Sequence, residues 1–90
     1  MVPEDEEATA ILYESINIYP NPTENSVRIE GTENITQIEI INTIGQVIAV
    51  IKNNGDAVMQ VDLSGQANGL YLLRMRDAEE NMVMKRVVKN

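Results

Sequence analysis

Residues 35–62, ITQIEIINTIGQVIAVIKNNGDAVMQVD, decide the fold class. Three runs rich in β-branched residues, ITQIEIIN, VIAVIKN and VMQVD, are separated by the short turn signals TIGQ and NGDA. No helical apolar period runs through them, and each run has the length of a strand. Gly45 and Gly55 supply the positive φ that such turns need, and Asn54-Gly55 predicts a tight hairpin of the primed type. ITQIEIIN and VIAVIKN are apolar on both faces over part of their length, as expected of central strands or of strands beneath a neighbouring domain.

The same alternation continues outward. Upstream lie INIY at 16–19 and SVRIE at 26–30; downstream lie LYLLRMR at 70–76 and MVMKRVV at 82–88. Seven strands spaced roughly ten residues apart predict an all-β, antiparallel sandwich or barrel. Period-two alternation puts Val27 and Ile29 inward with Arg28 and Glu30 outward, and Tyr71, Leu73 and Met75 inward with Arg74 and Arg76 outward. In the last run, Met82, Met84, Arg86 and Val88 compete with Val83, Lys85, Val87 and Lys89, and both sets carry charge. Between the first two strands stands PNPTEN. Pro20 ends a ladder because it has no N–H, and Asn21-Pro22-Thr23-Glu24 suits a type I turn, so Pro20, Asn21 and Pro22 form a rigid corner.

Composition narrows the function. Ninety residues hold one small core, which must be aliphatic, since there is no Phe or Trp and only three Tyr. The net charge of −7 is misleading. Glu4, Asp5, Glu6, Glu7 and Glu14 lie in a base-free first stretch, residues 1–15, which reads as a solvated acidic linker from an upstream domain; the other nine acids nearly balance seven bases. That leaves no basic stripe for nucleic acid. No apolar run reaches the roughly 20 residues of a membrane span, and the acidic start is unlike a signal peptide. The chain is therefore expected to be soluble or a piece of something longer.

Catalysis is poorly provided for. Without His or Cys, neither a nucleophilic triad nor a zinc centre can be assembled from this chain. Asp56 with Asp62, or Glu79 with Glu80, are carboxylate pairs in or beside turns, suited to solvent or to a loop calcium ion rather than to acid–base chemistry. No catalytic, cofactor or metal residue is assigned. The basic cluster Lys85, Arg86 and Lys89 around Val87 and Val88 reads either as a charge-protected edge strand or as a tail that a partner recognises by strand addition.

Four segments in order, IYPNPT at 18–23, IEIINTIGQVI at 38–48, DLSGQANGLYLLRM at 62–75 and KRVVKN at 85–90, make residues 16–90 resemble the type A C-terminal sorting domain of type IX secretion substrates. The chain departs from that family's LPxGxY pattern at Gln66-Ala67-Asn68-Gly69 and has no glycine at 77–81. The resemblance implies a seven-stranded antiparallel immunoglobulin-like β-sandwich that acts as an address label, without cofactors. It implies a type IX translocon and a surface sortase-like peptidase as partners. An exported cargo would pass through the periplasm to the cell surface or medium and be joinable to lipopolysaccharide. Gly69, Tyr71, Lys85, Arg86, Val87, Val88 and Lys89 become the residues expected to form or support the recognised surface, with Tyr71 serving the core. An immunoglobulin-like adhesion module contacting glycan or a neighbouring domain is the competing reading, and edge-strand pairing allows a weak homodimer.

Overall fold

The computed structural model describes residues 16–90. The acidic linker expected at 1–15 lies outside the described residues. Seven strands form: β1 (Asn17–Tyr19), β2 (Ser26–Glu30), β3 (Ile35–Ile41), β4 (Val47–Lys52), β5 (Val58–Asp62), β6 (Gly69–Asp77) and β7 (Met82–Lys89). They make two sheets, β1-β2-β5 and β4-β3-β6-β7, with every neighbouring pair antiparallel. The result is the seven-stranded, immunoglobulin-like sandwich that the sequence predicts.

The core follows from the alternation. Val27 and Ile29 of β2 and Val61 of β5 face Ile38, Leu73 and Met75 of the larger sheet, and all six are fully buried. Each such side chain taken from water is worth roughly 1.5–3 kcal/mol. β7 resolves its ambiguity in favour of the set Val83, Lys85, Val87 and Lys89: three are buried and Lys85 is half-buried.

Three expectations are corrected. Asn54-Gly55 does not close a hairpin, because β4 and β5 belong to different sheets and the segment between them is a crossover. Gly55 still has φ 89°. The corner is held by Asn53, whose Nδ2 donates to the carbonyls of Thr32 (2.8 Å) and Ile35 (2.9 Å), while its Oδ1 accepts the N–H of Asp56 at 3.1 Å. Buried Thr32 adds a bond from Oγ1 to Asp56 O at 2.7 Å. These side-chain bonds to the backbone of the β2–β3 connection, the start of β3 and the crossover itself outweigh the local turn preference.

The second concerns β4, expected to be central or to lie beneath a neighbouring domain; it is an edge strand, which removes the first alternative. The pairing slips between Ile40 and Ile41. Ile48, Ala49 and Ile51 consequently lean on the core while Val47 and Val50 stand exposed.

The third concerns PNPT, which forms a strap rather than a type I turn. After two cis peptides, Tyr19-Pro20 and Asn21-Pro22, the chain crosses to the other sheet and runs parallel to the end of β7, with Thr23 opposite Lys89. Thr23 N donates to Val88 O and Asn90 N donates to Thr23 O, both at 2.8 Å. Prolines suit a segment that passes between sheets, because they leave no N–H unpaired there.

True hairpins join β3 to β4 and β6 to β7. In the first, Gly45 has φ 85° and the Asn42 side chain accepts the N–H groups of Ile44 and Gln46. In the second, which has no glycine, Glu80 itself takes φ 65°. Asp77 stabilises that turn by accepting the N–H groups of Glu79 and Asn81, both at 2.9 Å. A left-handed residue with a Cβ costs about 1–2 kcal/mol, so Glu80→Gly is expected to stabilise the domain by about 0.5–1 kcal/mol after the entropy of a freer unfolded chain is allowed for. Thermal unfolding followed by circular dichroism should show a rise in Tm of a few degrees.

Candidate functional site

Three segments distant in sequence converge at one end of the sandwich: the strap, the 63–69 loop and the last residues of β7. The Tyr71 ring is buried, and its hydroxyl donates to Ala67 O at 2.5 Å, four residues upstream. This is the tyrosine corner of immunoglobulin-like sandwiches, which fixes the loop arriving at the penultimate strand. From the neighbouring strand, Lys89 Nζ donates to Gln66 O at 2.7 Å and lies 3.5 Å from Asn68 Oδ1. Lys89 is only 9% exposed, so its ammonium replaces lost water with the oxygens of this loop. Gly69 completes the bend at φ 146°, a backbone state that a side chain would strain, although nothing lies within 4 Å of where its Cβ would stand.

On the other side of β7, Asn21 behaves like one residue of an added strand. Its Nδ2 donates to Arg86 O at 2.8 Å and its Oδ1 accepts Val88 N–H at 3.0 Å. With Thr23, it satisfies the outward backbone groups of β7 from the Arg86 carbonyl to Asn90. The signal in the sequence was an asparagine between two prolines, which a turn reading absorbed.

The residues singled out from the sequence therefore divide by position. Tyr71, Val87 and Lys89 are buried and hold the end together. Gly69, Arg86 and Val88 reach the surface, and Lys85 is half-buried. Leu70 and Val88 oppose each other across β6 and β7, each 38% exposed, and with Asn21, Lys85 and Arg86 they line a shallow groove. Pro20, Asn21 and Pro22 belong to this same end, while Gly45 and Gly55 lie in the β3–β4 hairpin and the β4–β5 crossover.

Sequence reasoning missed the ion cluster on the outer face of the larger sheet. Glu39 on β3 receives a two-point contact from Arg74, Nε to Oε1 at 2.9 Å and Nη2 to Oε2 at 2.8 Å. Arg76 Nε lies 3.4 Å from Oε1, an ion pair without a hydrogen bond. The Arg74 guanidinium, then its charge and that of Arg76, hold the Glu39 carboxyl below the usual carboxylate range, and Glu39 raises Arg74 in turn. A lowered folded-state value means that the ionised form is favoured by folding. This stabilisation is present above the ordinary glutamate range near 4.3 and fades as pH falls through the lower folded-state value. Asp62, lowered chiefly by the Ser64 N–H, works in the same direction. Glu39→Gln is expected to flatten the acid limb of stability against pH, as read by urea midpoints between pH 2 and 5.

The proposed carboxylate pairs are not assembled into a site. Asp56 lies ahead of β5 and Asp62 is the last residue of that strand, so they stand toward its opposite ends, and Glu79 and Glu80 are exposed in the last hairpin. Among the described residues no group of three His, Cys, Asp or Glu gathers as a metal site. No helix among them is long and apolar enough to cross a membrane. Tyr71 is enclosed, leaving Tyr19, beside Arg28, as an exposed aromatic among the described residues.

Fold and site together define an immunoglobulin-like module whose last strand is fastened on both sides, by a strap and by a loop. The chain belongs to the family of secretion system C-terminal sorting domains, whose model matches residues 17–90. It is thus a type IX secretion sorting signal, a label for export to the cell surface or extracellular space. The chain is also similar to an endo-acting ulvan lyase of Formosa agariphila, 31% identical over an alignment of 81 residues that covers 88% of this chain and 16% of that protein. It thus spans less than a fifth of that relative's length.

Proposed function

We propose that the domain carries an upstream cargo to the type IX translocon as a folded unit and is recognised at its fastened end. Gly69, Lys85, Arg86 and Val88 supply the surface read by the machinery, and Tyr71, Val87 and Lys89 keep that surface in shape. The observation that carries this reading is the convergence of NGLY, IYPNPT and KRVVKN on one end, joined by the bonds of Tyr71, Asn21 and Lys89. A surface sortase-like peptidase then separates cargo from domain ahead of Ile16, in the 1–15 linker, and joins the cargo to lipopolysaccharide. The small share of the ulvan lyase covered by the match supports an arrangement in which such a domain accompanies a much larger partner sequence.

The test fuses the 90-residue chain behind a periplasmic reporter in a type IX strain. The reporter should reach the surface or medium, and Arg86→Glu combined with Val88→Asp should retain it in the periplasm with the domain still folded. A wild-type fusion that stays folded in the periplasm would falsify the reading.

A further inference from the structure

The two sheets have four edge strands, and three of them are guarded. β1 is three residues long and runs into Pro20 and Pro22. β5 alternates Met59 and Val61 with solvent-facing Gln60 and Asp62. β7 is fastened by the strap and carries Lys85, Arg86 and Lys89. Charge, proline, shortness, bulges and covering segments are the usual means of preventing edge-to-edge pairing.

Among the described residues β4 has only a bulge at Ile48, where its pairing with β3 skips from Ala49 to Val47. Its sequence, VIAVIK, contains neither proline nor glycine and holds a single charge, Lys52, at its end. Val50 is 51% exposed and Val47 is 45% exposed. The direction of its unused backbone groups follows from the ladder. Asn53 N donates to Thr36 O at 2.9 Å, one step beyond the pairing of Gln37 with Lys52. Antiparallel ladders alternate bonded and non-bonded pairs, so the N–H and C=O groups of Val50 and Lys52 point away from β3.

We propose that β4 pairs antiparallel with β4 of a second copy of this chain, around a two-fold axis at Val50, joining two four-stranded sheets into one of eight. The strand is complementary to itself in this register. Val50 meets the partner's Val50 and Lys52 meets the partner's Ile48, so no like charges oppose each other. The axis lies in residues 49–52, the part of the strand that pairs regularly with β3, and the bulged Ile48 falls at the margin of the contact. An isologous contact of this kind closes on itself as a dimer and leaves no further β4 edge open. One strand pair buries little area compared with stable interfaces, so the dimer forms in a concentration-dependent way.

The absence of cysteine from the chain permits a register-specific test. Opposed residues in a bonded antiparallel pair have Cα atoms about 5.5 Å apart, within the roughly 4.4–6.8 Å span of a disulfide. Under mild oxidation at several protein concentrations, Val50→Cys should give a disulfide-linked dimer at least about tenfold faster than Lys52→Cys or Val58→Cys, which do not meet themselves in this register. Val50→Lys, which sets two ammonium groups opposite each other on an exposed position, should shift sedimentation equilibrium of the full chain to monomer, with Tm unchanged at a dilution where the wild-type chain is itself monomeric. Equal crosslinking of the three cysteine variants, a wild-type chain that stays monomeric up to millimolar concentration, or a dimer insensitive to Val50→Lys would each overturn the proposal.

Discussion

Tyr71→Ala is expected to remove about 3–5 kcal/mol of stability, the usual consequence of emptying an aromatic site in a small core. A domain of this size has only about 4–11 kcal/mol in total. The substitution acts twice, since it hollows the space between Leu73 and Val87 and releases the Ala67 carbonyl that the hydroxyl holds. Tyr71→Phe separates the two effects. It keeps the ring and should cost about 1 kcal/mol for the lost bond. Urea unfolding of both variants checks this, and a Phe variant as damaged as the Ala variant would mean that the hydroxyl, rather than the packing, dominates.

The second large effect is at Lys89. In Lys89→Glu, a carboxylate would face Gln66 O and Asn68 Oδ1, two acceptors with no proton between them. Loss of a charged hydrogen bond together with the desolvation of an uncompensated ion is worth about 3 kcal/mol or more. Lys89→Met retains the apolar stem and should lose only about half as much. Amide hydrogen exchange gives the more specific readout: in Lys89→Glu the amides of residues 64–69 should exchange faster before the core strands do. Uniform acceleration across the domain would show that Lys89 does not act through this loop.

Much of the architecture was legible because burial obeys period two. Val27 and Ile29, and Tyr71 with Leu73 and Met75, fall inward as their alternation requires. Sheet membership was not legible, because it depends on partners far along the chain. Asn54-Gly55 carries a strong hairpin signal, yet Asn53 binds the carbonyls of Thr32 in the β2–β3 connection and Ile35 at the start of β3, and the segment runs as a crossover. β4 reads as central, or as covered by a neighbouring domain, from its apolar residues; its place at the sheet edge and the slip opposite Ile41 leave Val47 and Val50 in solvent.

The fastened end was half legible for a related reason. NGLY and KRVVKN are visible as segments, and the enclosure of Tyr71 agrees with its inward parity. Lys89 is hidden by its own chemistry, since a lysine so near the end of a strand reads as a solvated charge. Its acceptors are a backbone carbonyl and an asparagine more than twenty residues away, and no local pattern encodes them. Asn21 is obscured similarly, with its partners at Arg86 and Val88. Glu39 would have been found by noting that β3, β6 and their register set it beside Arg74, which requires the ladder first.

The strap has a mechanical consequence. Because Thr23 runs parallel to Lys89, a pull that draws residue 16 one way and residue 90 the other slides the two segments along their common direction. The bonds of Asn21 and Thr23 to β7 then bear tension in shear and must yield together, whereas a hairpin pulled from its open ends would peel one bond at a time. The domain is thereby built as a clasp between its two ends, strongest along the line in which a tethered load would tug.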